Sequence, residues 1–324
     1  MLASQYYFKR LTEGQKDIYK TLLAGIESFA REIHLPTRPI HEHAHVLNGL
    51  LLDNPLIFYV APSFSQSCDA RSSKCVVTPN YTHSKLFARQ GVDAIHACMK
   101  NFDAVKGKSD LEKELAVHDF CLNHFRYDYS GGGHAHSILG PVLNKVAVCE
   151  GIAKFVKGAM DYLGVRSLVV CGKAENPVNH QQEAHAWNIV VLDGEPYHLD
   201  VTFDMTLTTK AKRYDYFNLA DADIQKDHEI TGEAPACVAT GRDYFAIHSR
   251  VAHNPAELGK FIENALKNGG KSLMVKLKNV TNKDGVLEKV MSIAQRQFIA
   301  VNKRGASVEV GYNPSQMVFE IRFM

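Results

Sequence analysis

Apolar side chains recur at helical spacing through the first part of the chain. They follow one another at Ile18, Leu22, Ile26, Phe29 and Ile33, and a similar run continues at Val46, Leu47, Leu50 and Leu51. The first pattern predicts a helix that the two prolines of LPTRP close, and the second predicts a helix that ends before the apolar run LIFYV. Residues 1–107 are therefore predicted to form a largely helical N-terminal region.

The clearest helical pattern lies in the middle of the chain. Apolar residues trace one buried helix face over residues 149–163, and Gly164 is placed to end that helix. Upstream, SDLEKELAVHDFCLNHF begins with a capping box, in which Ser109 accepts from the amide of Glu112 and the Glu112 side chain reaches back. A glycine-rich loop, YSGGGHAH, separates the two predicted helices.

Patterns typical of β-strands follow the central helix. SLVVCG predicts a buried strand, and AWNIVVLDGEPYHLDVTF predicts two strands joined at Asp193-Gly194, a dipeptide that suits a type I′ hairpin turn. Residues 250–324 then alternate helix, strand, helix and a final hairpin, which predicts a small C-terminal α/β unit. We therefore expect an α+β protein in three parts: residues 1–107, a core at 108–235, and residues 250–324.

Composition and charge narrow the class of protein. Of the 324 residues, 45% are hydrophobic and 22% are charged, which is typical of a globular chain and argues against long disorder. The formal net charge is +2. A balance this even gives no electrostatic reason to expect nucleic acid or an anionic membrane as the main partner.

The cysteines and the N-terminus bear on the cellular compartment. Seven cysteines, an odd number without a CxxC pair, predict reduced thiols rather than a disulfide framework. The first residues lack the apolar run of a signal peptide, and no stretch is long and apolar enough to span a bilayer. We expect a cytoplasmic protein, or a secreted one if an export signal has been removed from this sequence.

The register of the predicted hairpin brings chemically active residues together. If the turn holds two residues, Trp187 lies opposite Asp200 and His185 lies opposite Thr202. All four side chains then share one face of the sheet, where His185 and Asp200 are diagonal neighbours within reach of each other. A carboxylate in that position can hold the imidazole in one tautomer and stabilise its charged form, as a base beside a nucleophile requires.

Cys149 is the candidate nucleophile. It stands at the start of the central helix, where the helix dipole and the free backbone amides favour a thiolate. The other cysteines lack this combination of a helix start and a preceding loop. Cys171 is expected inside a buried strand, while Cys98 and Cys121 fall within helical patterns.

Three segments together resemble the signature blocks of the transglutaminase-like superfamily, a branch of the papain-like cysteine enzymes. The segments are VCEGIAKFVKGAMDYLGV, HAWNIV and YHLDVTFD, and YDYFNLADADIQKDH resembles the family's segment after the aspartate. The resemblance covers roughly residues 110–230, and the helical N-terminal part is similar to the leader of bacterial members. It implies a papain-like core, in which a cysteine-bearing helix packs on an antiparallel sheet. It also implies a catalytic triad of Cys149, His185 and Asp200.

Other residues are placed to line a substrate cleft. Trp187, beside the histidine, can form a wall of the cleft or fill the core, and His134 and His136 lie in the loop before Cys149. The backbone amide of Cys149 is expected to be one oxyanion donor, and Tyr127 is a candidate for the second.

A metal site is not expected. His41 and His45 would share a face of a helix, as zinc ligands can, and His43 lies between them, but no third ligand follows at a recognised spacing. A solvated or capping role is therefore predicted for these histidines. The predicted chemistry requires no cofactor.

The combined pattern predicts acyl transfer from an amide through a thioester on Cys149. Hydrolysis of a peptide or another amide is favoured, because water needs no binding site whereas an amine acceptor does. A protein-glutamine transglutaminase or deamidase is the alternative within the same chemistry. A binding module that kept the fold without catalysis is the alternative from another class. The expected partner is a peptide or protein substrate, and the oligomeric state stays open.

Overall fold

The computed structural model describes residues 5–69, 74–175, 181–208, 210–280, 284–302 and 307–324. Two large hydrophobic cores organise these residues, with smaller clusters beside them. The larger core extends from Leu11 to Phe217, and the smaller one lies within residues 252–321. Residues on both sides of the predicted boundary at 107 share the larger core. The limits of the three predicted parts stay predictions.

Eleven α-helices occur in the described residues. They are α1 Tyr6–Arg10, α2 Glu13–Ser28, α3 Ile40–Asp53, α4 Lys85–Met99, α5 Asp110–His124, α6 Cys149–Leu163, α7 Val201–Leu207, α8 Asp221–Ile224, α9 Tyr244–Ile247, α10 Pro255–Lys267 and α11 Val286–Asn302. A 3-10 helix follows α4 at Lys100–Val105, and a π-helical turn lies at Gly140–Asn144.

The strands in the same part of the chain number fourteen. They are β1 Ile33–Pro36, β2 Val60–Asp69, β3 Lys74–Tyr81, β4 Arg126–Tyr127, β5 Val146–Ala147, β6 Arg166–Glu175, β7 Gln182–Leu192, β8 Glu195–Leu199, β9 Phe217–Leu219, β10 His228–Ile230, β11 Val251–Ala252, β12 Ser272–Leu277, β13 Val308–Asn313 and β14 Val318–Phe323. A five-stranded antiparallel sheet, in the order β10-β6-β7-β8-β9, forms the centre of the molecule.

The central segment follows the sequence prediction closely. The capping box between Ser109 and Glu112 opens α5, and α6 begins at Cys149 and ends at Gly164, whose φ is 76°. Asp193 and Gly194 both have positive φ and join β7 to β8, so that Leu192 pairs with Glu195. The two-residue turn and the strand register are therefore confirmed. Helices and antiparallel sheets together make the fold α+β, as predicted.

The N-terminal region contains a sheet that the helical pattern did not predict. Strands β1, β3 and β2 form an antiparallel sheet beside helices α2 and α3. The predicted first helix is also too long, because α2 ends at Ser28 and Phe29 adopts the left-handed conformation with a φ of 62°. Ile33 therefore lies in β1, yet it still packs against α2 at Gly25.

A disulfide corrects the expectation that all seven cysteines are reduced. Cys68 of β2 and Cys75 of β3 are cross-strand partners, and a disulfide joins them. Sequence spacing could not predict this bond, because the pairing depends on the register of two strands. Five cysteines remain as free thiols: Cys98, Cys121, Cys149, Cys171 and Cys237. Within the described ranges, no helix is both long enough and apolar enough to cross a bilayer.

In the C-terminal part, helices and strands follow one another in the predicted order. Helices α10 and α11 pack on the sheet β11-β12-β14-β13, and the apolar residues between them form the smaller core. Polar residues of this unit also touch the central part of the molecule. Asn313 Nδ2 donates to Asp215 at 2.9 Å, and Gln316 Nε2 donates to the carbonyl of Asp223 at 3.1 Å.

Candidate active site

Cys149 is the first residue of α6, at a helix start that no side chain caps. The preceding residue, Val148, is the N-cap, and its side chain offers no acceptor to the first-turn amides. The first amides of a helix have no partner inside the helix, so this end carries free donors and a partial positive charge. The side chain of Cys149 is partly exposed. The sulfur therefore lies beside free backbone donors and is open to an approaching molecule.

Gly151 lets the loop before the helix pass close to the cysteine. An added Cβ at Gly151 would lie 2.2 Å from the carbonyl oxygen of Ala135 and 2.9 Å from the Cβ of Ala147. The same carbonyl accepts from the amide of Val148 at 3.2 Å. Close packing at Gly151 and the hydrogen bond between Val148 and Ala135 therefore hold the loop against the start of α6. These contacts fix the position of Cys149.

We expect Gly151→Ala to destabilise the protein by about 2–4 kcal/mol, because the added methyl group meets backbone rather than a flexible side chain. The free energy of unfolding in urea measures this. Gly14→Ala in α2 is the control: its nearest neighbour would be the Arg38 guanidinium at 3.7 Å, so a change between zero and about 1 kcal/mol of stabilisation is expected. A Gly151→Ala variant as stable as the wild type would contradict the close packing described here.

His185, on β7, lies between the cysteine and a buried carboxylate. Its Nε2 donates to Oδ2 of Asp200 at 2.7 Å, and the Cys149 side chain is near enough to add to the shift in the pKa of the ring. Because Nε2 is taken by Asp200, Nδ1 is the nitrogen left for the thiol. Burial alone lowers the pKa of His185, but the Asp200 carboxylate and the contact with Cys149 raise it overall to about 10. The imidazole is therefore held in its charged form at neutral pH.

Asp200 is the N-cap of α7 as well as the partner of His185. Its Oδ1 accepts from the amide of Phe203 at 3.1 Å, and its own amide donates to the carbonyl of Tyr216 at 3.0 Å. Burial by itself raises the pKa of Asp200, but the His185 charge and hydrogen bonds from His185 and His228 lower it well below the usual range. Both oxygens of this carboxylate are thus held in place.

The helix after Asp200 corrects the predicted second strand. β8 ends at Leu199, so Asp200 does not pair with Trp187 in the ladder, and Thr202 lies in α7 rather than opposite His185. The strand register still delivers Asp200 to the His185 face. The capping bond to Phe203 then starts a helix where the alternating pattern of YHLDVTF suggested a longer strand.

A second imidazole, which the sequence did not indicate, reaches the same carboxylate. His228 of β10 is buried, and its Nε2 donates to Oδ2 of Asp200 at 3.0 Å. Its Nδ1 lies 2.6 Å from Oδ1 of Asp227. The only sequence hint was the resemblance of the segment ending at His228 to the family's segment after the aspartate.

Trp187 is a buried support and not a wall of the cleft. It is 1% exposed, stacks on His185 with ring centroids 5.8 Å apart, and packs with Leu168 and Val170. Its Nε1 donates to Nδ1 of His198 at 3.0 Å. Trp187 shares a face with His185 as predicted. Of the two roles left open for it, its burial among Leu168, Val170 and Cys237 fits the core role.

A shallow pocket opens beside His185. It is lined by Tyr127, Tyr129, Ala174, Glu183, His185, Thr202, Phe203 and Thr206. Tyr127, a predicted cleft residue, lines this pocket, and burial, followed by the charge of Cys149, raises the pKa of its hydroxyl to about 12. A hydroxyl that keeps its proton can donate a hydrogen bond to developing negative charge.

The two loop histidines predicted for the cleft lie outside this pocket. His134 stacks with Phe87 and lies against His83, with ring centroids 5.7 and 5.2 Å away. His136 is 65% exposed, and its Nδ1 lies 3.0 Å from the carboxylate of Glu150, the residue after Cys149. His134 is therefore a packing residue, and His136 lies at the rim next to the cysteine.

Cys171 is exposed, against the expectation of a buried strand cysteine. It lies on the sheet face opposite His185, in a pocket that it shares with Tyr7, Asn48 and Thr231. This pocket is larger than the one beside His185, but the His–Asp pair does not face it. Its surroundings raise the pKa of the Cys171 thiol to about 11, mainly through desolvation.

Two clusters in the described residues have the composition of metal sites: His185, Asp200 and His228, and His198, Asp221 and Cys237. Asp200 of the first cluster already accepts from both of its histidines. His198 accepts from Trp187 with Nδ1 and contacts Asp221 at 2.8 Å with Nε2, so neither ring nitrogen is free for a cation. His43, from the predicted histidine group on α3, is buried with its Nδ1 2.8 Å from Oε1 of Gln66.

Comparison with known proteins agrees with this architecture. Residues 101–201 match the model of the transglutaminase-like superfamily. The resemblance seen in the sequence is thereby confirmed over this segment. No functionally curated protein matches the chain by sequence.

Solved structures give more distant likenesses. A protein described as a TGase is 18% identical over 56% of this chain and 53% of its own, with a TM-score of 0.33. A candidate cysteine protease from Cytophaga hutchinsonii is 12% identical over 57% and 68%, with a TM-score of 0.31. Menin, in a structure described as revealing its binding site for the Mixed Lineage Leukemia protein, is 11% identical over 89% and 52%, with a TM-score of 0.29. The chain spans about half the length of the TGase chain, and likenesses this weak carry no further argument.

Proposed function

We propose that this protein is a cysteine-dependent hydrolase of peptides or other amides, with Cys149, His185 and Asp200 as its catalytic triad. The observation that carries the proposal is the position of His185, whose ring donates to the Asp200 carboxylate and interacts electrostatically with the nearby Cys149 side chain. A nucleophile, a base and an orienting carboxylate in one chain of contacts are what acyl transfer requires.

The reaction starts from a thiolate on Cys149 and a protonated His185. The thiolate attacks the amide carbonyl, and the negative oxygen that forms is stabilised by the Cys149 amide and the Tyr127 hydroxyl. His185 then gives its proton to the departing amine, the carbon–nitrogen bond breaks, and a thioester remains on Cys149.

Water completes the cycle. His185, now neutral, takes a proton from water as the oxygen attacks the thioester, and the sulfur leaves as a thiolate when the carboxylic acid is released. Hydrolysis is preferred to amine transfer because water at about 55 M needs no binding site, whereas an amine must be bound in competition with it. Incorporation of a labelled primary amine into the acyl product would instead favour a transglutaminase.

Iodoacetamide is expected to alkylate Cys149 before the other four free thiols, and still to do so near pH 6. The reason is the thiolate–imidazolium pair, since alkylation requires a thiolate. Cys171 is the internal comparison, because it is exposed but carries a thiol whose pKa is raised to about 11. Peptide mass spectrometry after short exposure measures the order of labelling.

His185→Ala should move the labelling of Cys149 to higher pH, because the positive partner of the thiolate is gone. If Cys149 reacts no faster than Cys171 at pH 6, the cysteine is structural and the binding-module alternative replaces the enzyme. A thioester adduct on Cys149, trapped with a panel of peptides, would identify the acyl group and support the hydrolase directly.

A further inference from the structure

The carboxylate of Asp200 is shared by two histidines. Its Oδ2 accepts from His185 at 2.7 Å and from His228 at 3.0 Å, while Oδ1 accepts from the amide of Phe203. A catalytic carboxylate needs only one imidazole to orient. The second imidazole, that of His228, is buried, and removing it from water costs free energy. Its presence therefore needs an explanation.

The contact between His228 and Asp227 places an additional proton in this chain. With Nε2–H donated to Asp200, a neutral His228 would turn a bare Nδ1 toward Oδ1 of Asp227 at 2.6 Å. Two lone pairs at that distance repel, so a proton lies between Nδ1 and Oδ1. Asp227 is itself fixed, because its Oδ2 accepts from the hydroxyl of Tyr216 at 2.6 Å.

We propose that His228 is a positioning residue of the proposed reaction, which holds the Asp200 carboxylate against His185 and takes up part of its negative charge. The proposal rests on the function proposed above. A carboxylate whose only imidazole partner is His185 holds the His185 proton more firmly than a carboxylate that also accepts from a second donor. Because His228 donates to the same oxygen, it weakens the attraction between the Asp200 carboxylate and the His185 proton.

The orientation of Asp200 does not depend on His228 alone. Asp200 is the N-cap of α7, and the bond from the Phe203 amide keeps its carboxylate in place when one donor is removed. Loss of His228 should therefore act mainly through charge.

The titratable or charged groups facing His228 are Asp200, Asp227, Tyr216, His185 and His198. Those facing His185 are Asp200, Cys149, His228 and, in the pocket, Tyr127 and Glu183.

His228→Phe tests the proposal, because it keeps the ring that packs on Trp187 and Phe203 and removes the donor. The rate of Cys149 alkylation by iodoacetamide is measured against pH, and its upper inflection reports where His185 loses its proton. We expect that inflection to rise by about half to one pH unit in His228→Phe. His228→Gln, whose neutral amide can donate to Asp200 but carries no charge, should restore part of the shift and less than half of it.

His198→Gln is the matched control, since His198 is also buried and paired with a carboxylate but does not contact Asp200. Its inflection should stay within about 0.2 units of the wild type. An unchanged or lowered inflection in a folded His228→Phe would overturn the proposal. If His228→Phe does not fold, as judged by circular dichroism, His228→Leu carries the same comparison. Should Cys149 of the wild type show no preferential alkylation, the proposed function itself fails, which is a separate result.

Discussion

Asp200→Asn is expected to lower the turnover of an amide substrate by about 10²–10⁴-fold while leaving the protein folded. Asparagine has nearly the same shape and is itself a good N-cap, so the bond with the Phe203 amide can persist. The negative charge that stabilises the His185 imidazolium is lost, and the amide can present a donor to Nε2, which selects the wrong tautomer. Alkylation of Cys149 at pH 6 should fall about tenfold or more for the same reason.

Asp200→Ala separates the catalytic effect from the structural one. This variant loses the charge and also the cap, which costs about 1 kcal/mol, and it leaves two buried imidazoles without their acceptor. We therefore expect similar inactivation with a clearly lower free energy of unfolding. Asp221→Asn is the control, because Asp221 accepts from the buried His198 at 2.8 Å outside the triad. Full activity in Asp200→Asn would remove Asp200 from the mechanism.

The stability of the protein is expected to fall between about pH 4.5 and 8 because of Glu114 on α5. This side chain is fully buried, with one hydrogen bond, from Asn218 Nδ2 at 2.9 Å. Burial raises its pKa to about 8. The unfolded chain ionises near pH 4.5 and the folded chain near pH 8, so the unfolded state binds fewer protons in this window and stability declines as pH rises.

Glu114→Gln should remove this decline. A glutamine keeps the acceptor for Asn218 and does not titrate, so its unfolding free energy should depend less on pH by about 3–5 kcal/mol across the window. Unfolding in urea at pH 5 and pH 8.5 measures the difference for both proteins. At pH 5 the two should be similar, and at pH 8.5 the variant should be the more stable. Parallel pH profiles would contradict the neutral state of Glu114.

The sequence predicted the central hairpin because one dipeptide determines its register. Asp193-Gly194 allows positive φ at both turn positions, and this places Leu192 opposite Glu195 and, further along, His185 near Asp200. The helix that begins at Cys149 was predictable because its apolar face and its final glycine agree. These local signals identified the three residues of the candidate triad.

Contacts between distant segments were not predictable in the same way. His228 lies 28 residues beyond Asp200 on a strand of three residues, which has too few positions to show a periodic pattern. The Cys68–Cys75 bond depends on a strand pairing within a region whose apolar residues indicated helices. Trp187 was ambiguous because residues distant in the sequence, among them Cys237, Ala234 and Tyr6, pack around it, and such contacts are not visible in the local sequence.

The turn between β13 and β14 limits how the molecule can be divided. Asp215 accepts from Arg213 and from Asn313, and Gln316 donates to the Asp223 carbonyl, so polar groups of the C-terminal unit satisfy acceptors of the central one. The apolar cores are separable, but this hydrogen bonding is shared. The chain can therefore be divided near residue 250 without cutting through an apolar core. The same division would break hydrogen bonds between buried polar groups. If the central part with its candidate triad were moved into another protein, the turn at residues 313–316 would have to be included. Otherwise the hydrogen-bond donors Asn313 and Gln316 would have to be replaced.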